Sequence, residues 1–226
     1  MSAPFRLFKK EKIWRIIPSR FPPIDLFERV ADSSEWDALH ELESMTNARL
    51  RDERRILSLV PDEDRVYGAG AGYVMAAFAY LNPEGSRFSD GSYGVYYAGD
   101  SLDCAIAETK YHHRRFLSYT NTPATETQMR VLVAELNGKL HDIHVNKKNH
   151  KKLYSSDIYS ASQAFARKLK GSGSNGIYYA SVRSQEGSCF AIFKPKLISH
   201  CRQERHLRYV WDGKNIKDVL EIRKVV

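Results

Sequence analysis

Residues 86–109, SRFSDGSYGVYYAGDSLDCAIAET, constrain the fold more than any other part of the chain. The segment YGVYYA is aromatic, β-branched and bounded by glycines, which predicts a short strand. Directly after it, Ser101 is placed to cap a helix. Leu102, Ala105, Ile106 and Thr109 recur behind that cap at helical spacing, as one buried stripe. A strand that turns straight into a helix brings the end of the strand and one helix face to a common edge. Glu108 falls on that helix and Arg87 on the turn before the strand. On pattern alone Glu108 is a solvent-facing helical glutamate and Arg87 a surface arginine. The local geometry allows a site there without requiring one.

The rest of the chain supplies the partners for that unit. Residues 1–23 are basic and irregular, and Pro18, Pro22 and Pro23 enforce an extended path. Residues 24–46 carry a helical pattern: Leu26, Phe27 and Val30 share a face, and Trp36, Leu39 and Leu42 continue it after Ser33 and Ser34. TNARLRDERR is a polar connection. VYGAGAGYVMAAFAYLN is a glycine-rich entry into a short apolar helix. QMRVLVAEL alternates as a strand, and KLHDI predicts a second, short one. DIYSASQAFARKL is an amphipathic helix that stops at Gly171. NGIYYASV and SCFAIFKP predict two strands joined around RSQEG, and residues 206–226 add one or two more. The pattern gives one α+β domain with a helical N-terminal extension.

Composition sets the outer limits. With 42% hydrophobic residues in 226, the chain has material for a sizeable core. A net charge of +8 suits an anionic partner, whether a nucleic acid, a nucleotide or an acidic protein, and suits a plain solvated surface equally well. The cysteines, Cys104, Cys189 and Cys201, are odd in number and form no CxxC pair. That argues against a disulfide framework and for a reducing compartment. The first residues hold no apolar signal core, and no apolar run approaches the ~20 residues of a membrane helix. The expectation is a soluble, cytoplasmic protein.

Several familiar motifs fail on inspection. GAGAG (Gly68, Gly70, Gly72) departs from a dinucleotide fingerprint in its spacing and follows no clear strand, so a loop with close helix packing is the better account. His112 with His113, and His141 with His144, lack the convergent third and fourth ligands of a zinc site. Surface or capping roles are expected for them, and no metal. There is no G-x-S-x-G elbow and no P-loop. The basic clusters are not interleaved with aromatics, so direct nucleic-acid binding is not expected.

The sequence resembles the RES-domain family, the toxin component of a bacterial toxin–antitoxin type. IWRI resembles the family's first block, which falls on Arg15, with Arg20 in PSRFPP competing for the same assignment. SRFSDGSYGVYYA resembles the second, with the arginine at Arg87. SLDCAIAET resembles the block with the family's glutamate, at Glu108, and NGIYYASVRSQEGSCFAIF the block with its serine, at Ser181. The chain looks like a longer branch, with residues 1–65 as a partly helical extension and residues 66–226 as the NAD-binding catalytic domain, into which Arg15 packs.

That resemblance implies a fold like the ADP-ribosyltransferases, a split, twisted β-sheet with flanking helices. It implies an NAD-consuming enzyme that cleaves the nicotinamide–ribose bond by hydrolysis or phosphorolysis, with NAD as substrate and no further cofactor. Glu108 would face the ribose cation, and Arg87 and Arg15 would hold the pyrophosphate. Tyr97 would pack on the nicotinamide or ribose, and Ser181 would hydrogen-bond the nicotinamide ribose or amide. A homodimer and a helix-turn-helix antitoxin would be its partners. ADP-ribose transfer to a protein is the alternative activity. A non-catalytic basic module associated with nucleic acid is the alternative of another class.

Overall fold

In a computed structural model of the chain, the structure describes residues 3–21, 23–29, 32, 34–35, 60–145, 147–223 and 225. Its elements in order are β1 (Phe5–Pro18), α1 (Asp25–Arg29), α2 (Ala71–Ala79), β2 (Tyr96–Gly99), α3 (Leu102–Tyr119), β3 (Thr125–Asp142), α4 (Ser160–Gly171), β4 (Gly176–Ala180), β5 (Ser188–Ile192), β6 (Ile198–Trp211) and β7 (Ile216–Ile222). The sheet runs β1-β2-β5-β4-β3-β6-β7, and β1 also pairs with β3, so five of the strands close into a ring. Only β3 and β4 are parallel, through His141↔Ile177 and Asp142↔Tyr178. This is the α+β class expected from the sequence.

Both faces of the sheet are covered, and the period of two shows which side chain goes where. Leu132, Ala134 and Leu136 of β3 join Ile13, Phe190 and Ile192 beneath α1 and α2. Val131 and Val133 of the same strand face the other way, toward Ile16, Ala105 and Leu117 beneath α3. Ile177 and Tyr179 of β4 pack with Cys189, Ala191 and Ala166 on the side of α4. Strands β4 and β5 are buried at every residue.

Three local readings change. Residues 5–18, read as irregular, form a long strand that pairs with β3 from Phe5↔His141 to Pro18↔Met129. A bulge between Phe8 and Glu11, with Lys10 at φ 50°, breaks the alternation that would have revealed it. QMRVLVAEL and KLHDI are one strand, because the Asn137-Gly138 pair does not turn. Asn137 Oδ1 accepts the Lys10 amide (2.8 Å) across the bulge instead. Residues 1–65 are thus divided, with β1 inside the sheet and α1 docked on α2. Of the helix expected over 24–46, Asp25–Arg29 is seen; most of the remainder, including Val30, Trp36, Leu39 and Leu42, lies outside the described residues.

The GAGAG loop packs closely on its surroundings. Gly70 sits before α2 at φ 82°, where an added Cβ would lie 1.8 Å from the Cys201 carbonyl oxygen. The amides of Gly70 and Gly72 donate to Glu28 Oε2 (2.8 Å) and Oε1 (2.9 Å). The anion at this helix N-terminus is therefore a side chain of α1. Gly70→Ala meets both the strained φ and the clash. Its expected cost is at the upper end of the ~0.5–3 kcal/mol of ordinary substitutions, seen as a melting temperature lower by several degrees. An unchanged melt would show that this junction is not tightly packed.

Candidate active site

Strand β1 meets β2 at a single pair, Trp14↔Gly99, while staying on β3 beyond it. The sheet splits there, and the split opens into a cavity of about 860 Å³. That is near the top of the ~300–1,000 Å³ of small-molecule sites. Trp14, Arg15 and Ile16 line it from β1, and Tyr97, Ala98 and Gly99 from β2. Helix α3 forms the long wall with Ala105, Glu108, Thr109, His112, Phe116 and Tyr119. Steps of three and four make this one stripe, about 21 Å long at 1.5 Å per residue. Its mouth is aromatic, with Phe116 49% and Tyr119 72% exposed.

Glu108 is held from behind. Ser101 Oγ accepts the Cys104 amide (3.2 Å) and starts α3. Two glycines let the helix lie close. A Cβ on Gly99 would be 2.9 Å from the Ala105 nitrogen, and one on Gly187 would be 2.7 Å from Cys104 Sγ. Glu108 Oε1 then accepts the Ser181 hydroxyl (2.6 Å), the Val182 amide (3.3 Å) and the Cys189 thiol (3.7 Å). The Cys189 thiol stays protonated because its hydrogen bond with Cys104, its burial and the Glu108 charge all push it well above its usual range. Ser181 is buried, and its oxygen accepts the amides of Arg183 (3.0 Å) and Ser184 (2.9 Å). Its hydroxyl is directed at Glu108 rather than at the cavity, so its place is that of a positioning residue.

The arginines are arranged differently from one another. Arg15 donates from Nη1 to the Tyr97 carbonyl (3.0 Å) and lies over the Tyr96 ring (4.7 Å). Burial draws its pKa down from the usual value, the cost of a desolvated cation. Arg15 is half-buried by surface area and Arg87 is buried; Arg87 Nη1 donates to the carbonyls of Leu153 (3.0 Å) and Ser155 (2.8 Å), and its guanidinium lies over Tyr159 (4.8 Å). Both line the cavity. Among the described residues, Arg15, Arg87 and Glu108 form no salt bridge. Arg20 lies over Phe21 outside the cavity, which separates the two candidates for the first arginine.

Tyr97 presents its ring to the cavity and spends its hydroxyl on the turn, bonding Ser86 Oγ (2.8 Å) and accepting the Phe88 amide (2.9 Å). Gln163 of α4 donates to the Ser86 and Ser89 carbonyls (3.0 and 3.2 Å), so the turn bearing Arg87 is pinned from two sides. Sequence reasoning missed His112, Arg115 and Tyr179, which also line the cavity. His112 stands one helical turn after Glu108, a signal that was available; Tyr179 lies in a strand buried at every residue and gave none. The other histidines are elsewhere: His113 bonds Thr127 Oγ1 (3.0 Å), and His141 bonds the Ala3 carbonyl (3.2 Å). Among the described residues no group of three or more His, Cys, Asp or Glu is placed around a common metal position, and no helix is long and apolar enough to cross a membrane.

A double-mutant cycle reads the Ser181–Glu108 contact directly. For Ser181→Ala, Glu108→Gln and the double variant, denaturant melts are expected to give a coupling of at least about 1 kcal/mol, since hydrogen bonds to charged groups contribute ~1.5–3 kcal/mol. Additivity within ~0.5 kcal/mol would mean that the serine does not hold the carboxylate.

Comparison with known proteins puts this geometry in a family. An uncharacterized protein, y4oC of Sinorhizobium fredii (strain NBRC 101917 / NGR234), is 32% identical over 212 residues, covering 92% of this chain and 86% of that one. A chain in the crystal structure of the M. tuberculosis MbcT–MbcA toxin–antitoxin complex is similar at 10% identity with a TM-score of 0.47, over 92% of this chain and 87% of that one. The RES domain model matches residues 63–212, a span that holds Arg87, Tyr97, Glu108 and Ser181 and begins after Arg15. The chain belongs to the RES domain family.

Proposed function

We propose that this chain cleaves the nicotinamide–ribose bond of NAD in the cleft between β1, β2 and α3. The observation that carries this reading is the separation of charge in one cavity. Among the described residues, Arg87, which is buried, and Arg15, which is half-buried, have no carboxylate partner, and they line the same space as Glu108, a carboxylate that forms no salt bridge. Buried charge is costly until it is paired. NAD offers complementary groups at both ends: a pyrophosphate for the arginines, and a ribose that turns cationic as its bond breaks. Membership in the RES domain family supports the same substrate.

The chemistry needs little from the protein. The positively charged nicotinamide is a good leaving group and departs neutral with the electron pair of the C–N bond. The ribosyl carbon left behind has oxocarbenium character, as in glycoside hydrolysis. Glu108, with Oε1 anchored by three donors, keeps its charge fixed where that cation develops, and fixed electrostatics of this kind lowers a barrier without reorganisation. Arg15 and Arg87 match phosphate oxygens with planar guanidinium groups. Tyr97 gives a flat wall, and Ser181 acts through Glu108. The reading brings with it an antitoxin partner with a helix-turn-helix domain and a homodimeric, cytoplasmic toxin.

The test is nicotinamide release from NAD by the purified protein. Glu108→Gln keeps the size and the hydrogen-bonding shape of the group and is expected to lower kcat by about 100-fold or more, with NAD affinity little changed. Arg15→Ala is expected to weaken NAD binding in the first place. Wild-type protein that releases no nicotinamide above a buffer blank would refute the reading.

A further inference from the structure

We propose that His112 is the general base for a neutral hydroxyl acceptor, water in the first instance, that adds to the ribosyl carbon; this rests on the NAD-cleavage reading above. Once nicotinamide has left, the acceptor supplies the remaining step. A lone pair of its oxygen forms the new C–O bond. The O–H bond breaks, its proton passes to a ring nitrogen of His112, and the imidazolium returns that proton to bulk water. With water as acceptor the products are ADP-ribose, nicotinamide and one proton, and no oxidant or reductant is required.

The geometry singles out this side chain. His112 lies four residues after Glu108 on α3, so both project from one helix face into one cavity. Glu108 Oε1 is taken up by the donors of Ser181, Val182 and Cys189, and its other oxygen carries the charge assigned above to the ribosyl cation. Asp157, also on the wall, is bonded to Tyr111 and Ser156. The nitrogens of His112, by contrast, have no hydrogen-bond partner among the described residues; its ring contact is edge-on with Tyr111 (5.3 Å). The imidazole is exposed to the solvent of the cleft, and the desolvation it undergoes along the cavity wall lowers its pKa from the usual value. Arg183, Arg87 and Arg115 push it the same way, and Glu108 opposes them. The ring is therefore neutral at pH 7, with a lone pair free to accept a proton. A phosphate acceptor is already an anion and would not need that lone pair.

The test compares wild type, His112→Gln and His112→Ala in nicotinamide release at saturating NAD, in phosphate-free buffer, across pH 5 to about 8. Far-ultraviolet circular dichroism checks that both variants fold. Wild type is expected to turn over without phosphate and to lose kcat on the acid side, with a midpoint below 6.5. His112→Gln is expected to lose about 100-fold in kcat with KM for NAD little changed, and to lose that acid limb. Added imidazole is expected to restore part of the His112→Ala rate. Folded variants with wild-type kcat and pH profile, or a defect in KM alone, would overturn the role of His112. So would turnover that requires inorganic phosphate and is unaffected in the variants. No release by wild type would overturn the NAD reading together with it.

Discussion

Glu108 Oε1 accepts from a serine hydroxyl, a backbone amide and a thiol on residues 181–189, and this contact locks α3 onto the sheet. It needs a helix lying close to β2 and to the start of β5, which Gly99 and Gly187 permit by having no side chain. With α3 fixed there, its cleft stripe stands opposite Arg15 and Tyr97. So anchored on one oxygen, the carboxylate forms no salt bridge with Arg15 or Arg87 among the described residues. The fold thereby puts unlike charges on different walls of one cavity, the feature on which the proposed dinucleotide site rests.

The same logic explains the long strand β1. In the proposed reading Arg15 is an anion site, and its partial desolvation is best borne on a rigid element. Pairing with β3 over most of its length makes β1 such an element. The parting of β1 from β2 after Trp14 gives the guanidinium its opening. The turn bearing Arg87 is closed by its own Ser86–Ser89 backbone bond (2.7 Å) and held in place by the side chains of Tyr97 and Gln163.

What the sequence made legible was local. The strand, cap and helix of residues 86–109 were readable because glycine punctuation, the Ser101 cap and the 3.6-residue stripe all lie within one window. β1 was not readable, since a bulge and the lysines near it hide the alternation, and its partner β3 lies more than a hundred residues away. Ser181 was recognisable from its motif, but its partner Glu108 is 73 positions distant, so that its hydroxyl serves the carboxylate was a matter of tertiary structure. His112 was expected at the surface, and it is exposed; what the sequence did not show is that this surface is the wall of the cleft. Only the packing of α3 separates the one in the cleft from His113, which bonds Thr127.

The central claim is that the separated charges of this cleft are the two ends of an NAD site. A crystal structure of Glu108→Gln with NAD tests it most directly. The account predicts the pyrophosphate on the guanidinium groups of Arg15 and Arg87, the nicotinamide against Tyr97, and the anomeric carbon within about 3.5 Å of the residue-108 side chain. A dinucleotide bound elsewhere, or one reversed with its adenine at residue 108, would contradict it.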